Sequence, residues 1–455
     1  MSEHHDPNRR PAASAARTPA EAGVPASATT PWFSRRVVAW AFWDWGSAAF
    51  NAVVTTFVFT IYLTSPAFGP ENTVEPQLAW ALAFAGLAVA LFAPISGQRG
   101  DLTGHRKRWL AVNTALVVAL MLAMYFVEPA PEFLPLGIAL VAVGSVCFEF
   151  ASVNYNAMLA QVSTPATVGK VSGFGWGMGY VGGIALLVLL YLGLIQPAVG
   201  LFGVSSEHGL DVRVAMLIAG LWFGVFAIPV LLAVPKNPAG AGPRAARHRV
   251  GILGSYARLG RDVAHLWRTQ RNTVRFLIAS AVYRDGLASA FTFGGVLAST
   301  VFGFSPGEVI VFAVVSNIVA GASTIAVGAL DDRLGARLII LASLAGLIVS
   351  GLVMFVFHDA GKPAFWFAGL AISLFVGPAQ SASRSFLTRL IPDGHEGELF
   401  GLYATTGRAV SFLAPAAFAT AVTVGGAPHY GIIGIVLVVA IGFGLMFLVR
   451  SPAVE

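Results

Sequence analysis

The feature that most limits what this chain can fold into is a set of twelve long apolar runs, at 37–63, 77–97, 109–127, 134–159, 169–193, 212–234, 274–300, 307–330, 337–357, 363–387, 398–423 and 428–449. A helix rises about 1.5 Å per residue, so about 20 apolar residues cross the roughly 30 Å hydrocarbon core of a bilayer. No water reaches the backbone there. Every N–H and C=O must be paired within the protein, which leaves helices and closed barrels. These runs are continuous, whereas a barrel strand alternates. Composition points the same way: 56% of the residues are hydrophobic and 11% charged, against about a quarter charged in an ordinary soluble domain. The prediction is an all-α integral membrane protein with twelve transmembrane helices.

A polar, basic segment at 235–273 divides the runs six and six. The division predicts an N-terminal lobe, 37–234, and a C-terminal lobe, 274–450. Residues 1–36 are polar and rich in Ala, Pro and Ser, and lack the apolar core of a signal peptide. They read as a disordered tail. Within the linker, GILGSYARLGRDVAHLWRTQRN has the character of an amphipathic helix with bases on one face, suited to anionic headgroups. With the N-terminus in the cytoplasm, 24 of the 28 Lys and Arg fall on the cytoplasmic side. Arg213 and Lys362 fall outside, and Arg284 and Arg408 lie within spans. That bias predicts a multi-pass protein of the plasma (inner) membrane with both termini cytoplasmic. It also accounts for the net charge of +6 without nucleic acid as a partner. The single cysteine, Cys147, sits in an apolar run, so no intrachain disulfide forms.

Two loops carry the same pattern. Residues 97–106 read GQRGDLTGHR and residues 328–337 read GALDDRLGAR, so that Gly97, Asp101, Gly104 and Arg106 fall on Gly328, Asp332, Gly335 and Arg337. The copies follow spans 2 and 8, the second spans of their halves. The repeat therefore predicts two related six-helix lobes in parallel arrangement. Glycine allows close helix approach and sharp turning. The aspartate can cap a neighbouring helix N-terminus or pair with an arginine. Together with Arg333, these residues are the expected latch of one conformational state.

Here the chain resembles the major facilitator superfamily, whose signature loop G-x-L-x-D-R-x-G-R-[RK] lies between spans 2 and 3 and often recurs between spans 8 and 9. The second copy follows it through Gly328, Leu330, Asp332, Arg333, Gly335 and Arg337. The first has Arg99 in the leucine place, Leu102 in the arginine place and His105 in a basic place. On this likeness Asp332 should matter more to switching than Asp101. Three further stretches narrow the resemblance: WAFWDWGSAAFNAVVTTFVFTIYL in span 1, SGFGWGMGYVGG in span 5, and GPAQSASRSFLTRLIPDGHEGELFGLYATTGRAVSFLAP from span 10 into span 11. Together they look like the vacuolar effluxer family of the superfamily. The likeness implies the major facilitator fold, with two pseudo-symmetric lobes. It also implies transport, with amino-acid efflux known for fungal members, and a cavity lined by spans 1, 4, 7 and 10 with span 11 beside it.

Ionisable groups inside spans are costly and mark function by default. Asp44 lies on span 1 with Asn51 seven residues on, on the same face. Asp44 either lines the cavity or pairs with an arginine at the inner gate. Glu149 is central in span 4, and Ser145, Ser152 and Asn156 share its face, which suits a substrate or proton site. Arg284 and Asp285 are adjacent on span 7 and point about 100° apart, so they serve different partners. On span 10, Gln380 and Arg384 are i and i+4. Arg408, deeper in span 11, can hold a carboxylate or neutralise Asp285 or Glu149. The aromatics Trp43, Trp45, Trp176 and Tyr180 read as helix packing or interfacial anchors.

No G-x-x-x-x-G-K-[ST] loop occurs, so ATP does not drive the protein. No nucleophile–base cluster and no metal-ligand cluster appears, which argues against an enzyme and calls for no cofactor beyond a coupled proton. The expectation is a secondary transporter working by alternating access on a small solute, an amino acid or similar metabolite, in the direction of export. Its partners are that substrate and the lipid bilayer, and it acts as a monomer. A proton-driven exporter of amphipathic organic compounds, and a non-transporting receptor or scaffold, are the alternatives.

Overall fold

The computed structural model describes residues 32–235, 261, 264–392 and 394–451. The expected tail and linker lie mostly outside the described residues. Of the amphipathic stretch in the linker, 264–269 is helical.

Twelve long helices make up the described chain. They are α1 (Arg35–Leu63), α2 (Thr73–Thr103), α3 (Arg106–Phe126), α4 (Pro131–Val162), α5 (Val168–Ile195) and α6 (Glu207–Ala233), then α7 (Arg271–Thr300). There follow α8 (Gly307–Leu334), α9 (Ala336–Val356), α10 (Lys362–Leu390), α11 (Glu396–Gly425) and α12 (Tyr430–Met446). Ten are long and apolar enough to cross a membrane on their own. α7 falls short because Arg284 and Asp285 interrupt its apolar run, and α12 because it has 17 residues. Neither helix stands alone, since α7 and α12 pack on each other.

The end of α12 and the connection between the halves lie on one face of the bundle, here the terminal face. Asn272 at the start of α7 exchanges hydrogen bonds with the backbone of Arg450, and Lys107 at the start of α3 donates to the Val234 carbonyl after α6. One hydrophobic core gathers residues from Val37 to Val234 only. A second gathers residues from Phe276 to Val449, with Val89, Ala93, Val153 and Ala157 from α2 and α4. Two halves of six helices therefore each bury their own core and share a seam.

The seam runs along α2 against α11 and α5 against α8. Glycine brings the backbones together there. A Cβ built on Gly97 would lie 1.8 Å from the Gly397 carbonyl oxygen, and one on Gly328 would lie 2.8 Å from that of Gly169. Any side chain at Gly97 would force the helices apart, which explains a glycine at that place in the first loop.

Two helices are irregular. α1 passes through a π-helical stretch at Phe50–Phe57, a deformation that often accompanies functional sites. α11 breaks between Val410 and Leu413.

Candidate functional site

Between the halves lies a cavity of about 1050 Å³. α1, α4 and α5 line it from one side and α7 to α12 from the other, so the lining extends beyond the expected spans 1, 4, 7 and 10. Asn51, Glu149, Asn156, Arg284, Gln380, Arg384 and Arg408 all reach it, as does Asp44. These polar groups are set in largely apolar walls that include Trp43, Trp176, Tyr180 and Tyr403.

The floor is built around Arg384. This α10 side chain crosses the seam and is enclosed by the other half. Its Nη1 donates to Asp44 Oδ2 and Asn156 Oδ1, both at 3.2 Å, its Nε to Ser172 Oγ at 3.0 Å, and its Nη2 to the Ser172 carbonyl at 2.7 Å. The guanidinium also lies 4.8 Å from the ring of Trp40 and 5.0 Å from that of Trp176, within cation–π range. Tyr155 donates to Asp44 Oδ2 at 2.8 Å. Asp44 thus borders the cavity and pairs with an arginine of the other half. Trp176, read as packing, belongs to this cage. Trp43 does pack, stacking on Tyr155 with its indole N–H donated to Thr114 Oγ1 at 3.1 Å.

Higher in the cavity Glu149 and Arg408 pair across the seam at 3.3 Å, and their side chains are 20% and 44% exposed. This second bridge is far more open to solvent than the first, where Asp44 and Arg384 are 12% and 3% exposed. The first is sealed in the floor and the second is open to the cavity.

Arg284 and Asp285 do serve different partners. Arg284 faces the cavity. Asp285, placed by its sequence position on the substrate or proton pathway, does not line the cavity. Its carboxylate turns toward the break in α11 and accepts the Ala414 N–H at 2.7 Å. The upper piece of α11 begins there, and its first N–H groups need an acceptor. We expect Asp285→Ala to cost about 1–3 kcal/mol, the price of one buried orphan donor. Thermal unfolding measures this, and an unchanged midpoint would refute the capping role.

The repeated loops lie at the terminal face and form two equivalent bridges between the halves. Asp101 accepts the N–H groups of Gly397 (3.0 Å) and Glu398 (2.9 Å) at the start of α11, and pairs with Arg106. Asp332 accepts those of Gly169 (2.7 Å) and Lys170 (3.0 Å) at the start of α5, and pairs with Arg389. Each carboxylate thus sits at the positive end of the other half's helix. Arg106 adds Glu396 at 2.9 Å and the Ala157 carbonyl at 3.0 Å. Gly104 ends α2 in a left-handed conformation, φ +67°, and Gly335 turns the chain at φ +86°.

The latch differs from the expectation at two residues. Arg333 is exposed and Arg337 donates to the Val449 carbonyl on its own half. Arg389 of α10 takes their place, bonding Asp331 as well as Asp332. Asp331 is buried and also accepts from Ser385. The spacing in the loop could not reveal a partner 57 residues away. The doubled aspartate and the lone Arg389 at the end of span 10 were the available signals.

Two six-helix halves, a cavity between them that carries a few charged side chains on largely apolar walls, and inter-half bridges at one end are the marks of a secondary transporter of the major facilitator superfamily. The sequence pattern of the family described as "Vacuole effluxer Atg22 like" matches residues 78–452, and the chain belongs to that family. It is 24% identical over 430 residues to an "Uncharacterized MFS-type transporter YxiO" of Bacillus subtilis (strain 168), covering 91% of this chain and 94% of that one. It is 25% identical over 295 residues to "Autophagy-related protein 22" of Cryptococcus neoformans var. neoformans serotype D (strain B-3501A), covering 60% of this chain and 51% of the relative. The matched region is thus about half the length of that fungal relative. Among solved structures, the proton:xylose symporter XylE superposes with a TM-score of 0.73 at 11% identity, covering 91% of this chain and 95% of that one. A bacterial homologue of the iron transporter ferroportin, in an outward-facing state, superposes with a TM-score of 0.64 at 15% identity, covering 91% and 98%. These likenesses establish the fold.

Proposed function

We propose that the protein exports a small carboxylate-bearing metabolite, an amino acid or similar solute, across the plasma membrane as a monomer, with both termini in the cytoplasm. The tail and linker then lie on the cytoplasmic side. The observation that carries the reading is the pair of inter-half ion pairs at one cavity, one sealed and one open to solvent. The excess of Lys and Arg on the terminal face supports the orientation, and the family description supports efflux. In this orientation the bridges close the cytoplasmic end and the cavity belongs to the outward-facing state. Solute disturbs the Glu149–Arg408 pair, the floor pair releases, and the halves rock about the glycine seams.

Glu149 is the proposed proton carrier, because its partner can leave it for a solute and its setting is only partly wet. Glu149→Gln should abolish accumulation driven by a pH gradient and leave solute counterflow within about threefold, since Arg408 is solvated enough to stand alone. Full pH-driven transport by this variant would remove Glu149 from the role.

Labelled amino acids presented to proteoliposomes, with and without a pH gradient, test the whole reading. Saturable flux of at least one is expected. The aromatic walls also favour a second reading, export of amphipathic organic compounds, which predicts flux of such compounds and none of amino acids. No flux of any compound would point to a receptor or scaffold.

A further inference from the structure

Five charged side chains line the cavity, and four of them neutralise one another: Asp44 with Arg384 and Glu149 with Arg408. The fifth, Arg284, has no carboxylate partner among the described residues. Its guanidinium lies over the Tyr403 ring, 3.7 Å from the centroid, and donates through Nη1 to the Tyr403 carbonyl at 3.1 Å. Gly407 on the next turn of α11 also lies against it, where even a Cβ would be in ordinary van der Waals contact with Nη1 at 3.4 Å and Nη2 at 3.6 Å. These contacts hold the guanidinium plane against the lower piece of α11. That piece ends at Val410, and its C-terminal dipole offsets about half a charge at most.

The cavity therefore keeps an excess positive charge on a fixed, half-buried group. Such a charge is costly in a membrane unless something compensates it. A guanidinium stacked on one face and bonded along one edge still has donors for a planar acceptor, and a carboxylate matches that fork.

We infer that Arg284 is the anchor for a carboxylate of the transported solute, and that the site ranks monoanionic carboxylates above zwitterions. This rests on the transport reading above for its physiological meaning. A monoanion brings the five side chains to neutrality. A phosphate dianion overshoots by one charge, and an amide leaves Arg284 uncompensated. A zwitterion supplies the same carboxylate and brings an ammonium that needs its own acceptor.

The test is binding to the full chain in nanodiscs, read by thermal shift and calorimetry. The probes are the twenty standard amino acids, the matching 2-hydroxy acids, the amino-acid amides and inorganic phosphate. At least one 2-hydroxy acid should bind, more tightly than its amino acid and at least tenfold more tightly than the amide. Arg284→Gln should weaken acid binding at least tenfold and erase the difference between acid and amide. Arg284→Lys, which keeps charge but loses the planar stack, should fall between. Amides or phosphate binding as well as acids, no acid binding at all, or full affinity in Arg284→Gln would each overturn the proposal. Acid binding without flux in proteoliposomes would remove the transport reading and leave the anchor standing. Undiminished flux in Arg284→Gln would do the reverse.

Discussion

Replacing Arg384 with alanine is expected to open the terminal end of the bundle, at a cost to the closed state of about 3–5 kcal/mol, the usual penalty for orphaning one member of a buried ion pair. Asp44 would keep Tyr155 and lose its charge partner, and Asn156 and the Ser172 carbonyl would lose their donor. A penalty of about 4 kcal/mol is roughly a thousandfold in an equilibrium constant, enough to invert a closed-to-open balance of a few kcal/mol. The readout is a cysteine at Ser381, which is buried on the seam where its hydroxyl meets that of Ser172, in a Cys147→Ala background. A membrane-impermeant thiol reagent applied from the terminal face should label it at least tenfold faster when Arg384 is alanine. Adding Asp44→Asn should restore part of the protection, because the pair is then replaced by neutral groups. Equal labelling rates in all three proteins would mean that the floor pair does not hold the closed state.

The second large effect is expected at the repeated loops. Asp332→Asn keeps one acceptor for the start of α5, loses the other, and leaves Arg389 with Asp331 alone. Charged hydrogen bonds of this kind are worth about 1.5–3 kcal/mol each, so a loss of about 2–4 kcal/mol to the closed state follows. Asp101→Asn should cost a similar amount. This differs from the sequence expectation that Asp332 dominates, because each carboxylate accepts two backbone N–H groups across equivalent seams and pairs with one arginine of its own half. Spin-label distances across the terminal face would report the shift. A change in Asp332→Asn at least tenfold larger than in Asp101→Asn would restore the unequal reading.

The two loops show why legibility differs along the chain. Glycine and aspartate recur at the same offset, so the duplication is visible in the residues, and close approach and capping follow from their chemistry. Arg333 and Arg337 looked like members of the latch because they share the loop. The helix turns them elsewhere, and Arg389 reaches in from α10. Span 7 carries the same lesson. Arg284 and Asp285 differ by about 100° of helical rotation, so their separation of roles was readable. Only the break in α11 decided that Asp285 would cap a helix while Arg284 faced the cavity. The π-helical turn of α1 left no mark in its hydropathy.

The sequence by itself determined the twelve spans, their grouping into related halves and the few charged residues that a membrane would not tolerate without a use. These follow from local quantities, namely apolar length, charge placement and residue spacing, which act before any helix meets another. The tertiary structure alone decided which charge meets which. Asp44 with Arg384 and Glu149 with Arg408 are outcomes of how the two halves dock, while Asp332 with Arg389, and Arg284 with no acid among the described residues, follow from how the helices of one half pack. In a low-dielectric interior a shift of a few ångströms changes an ion pair into an isolated charge, and no spacing along one chain encodes that distance.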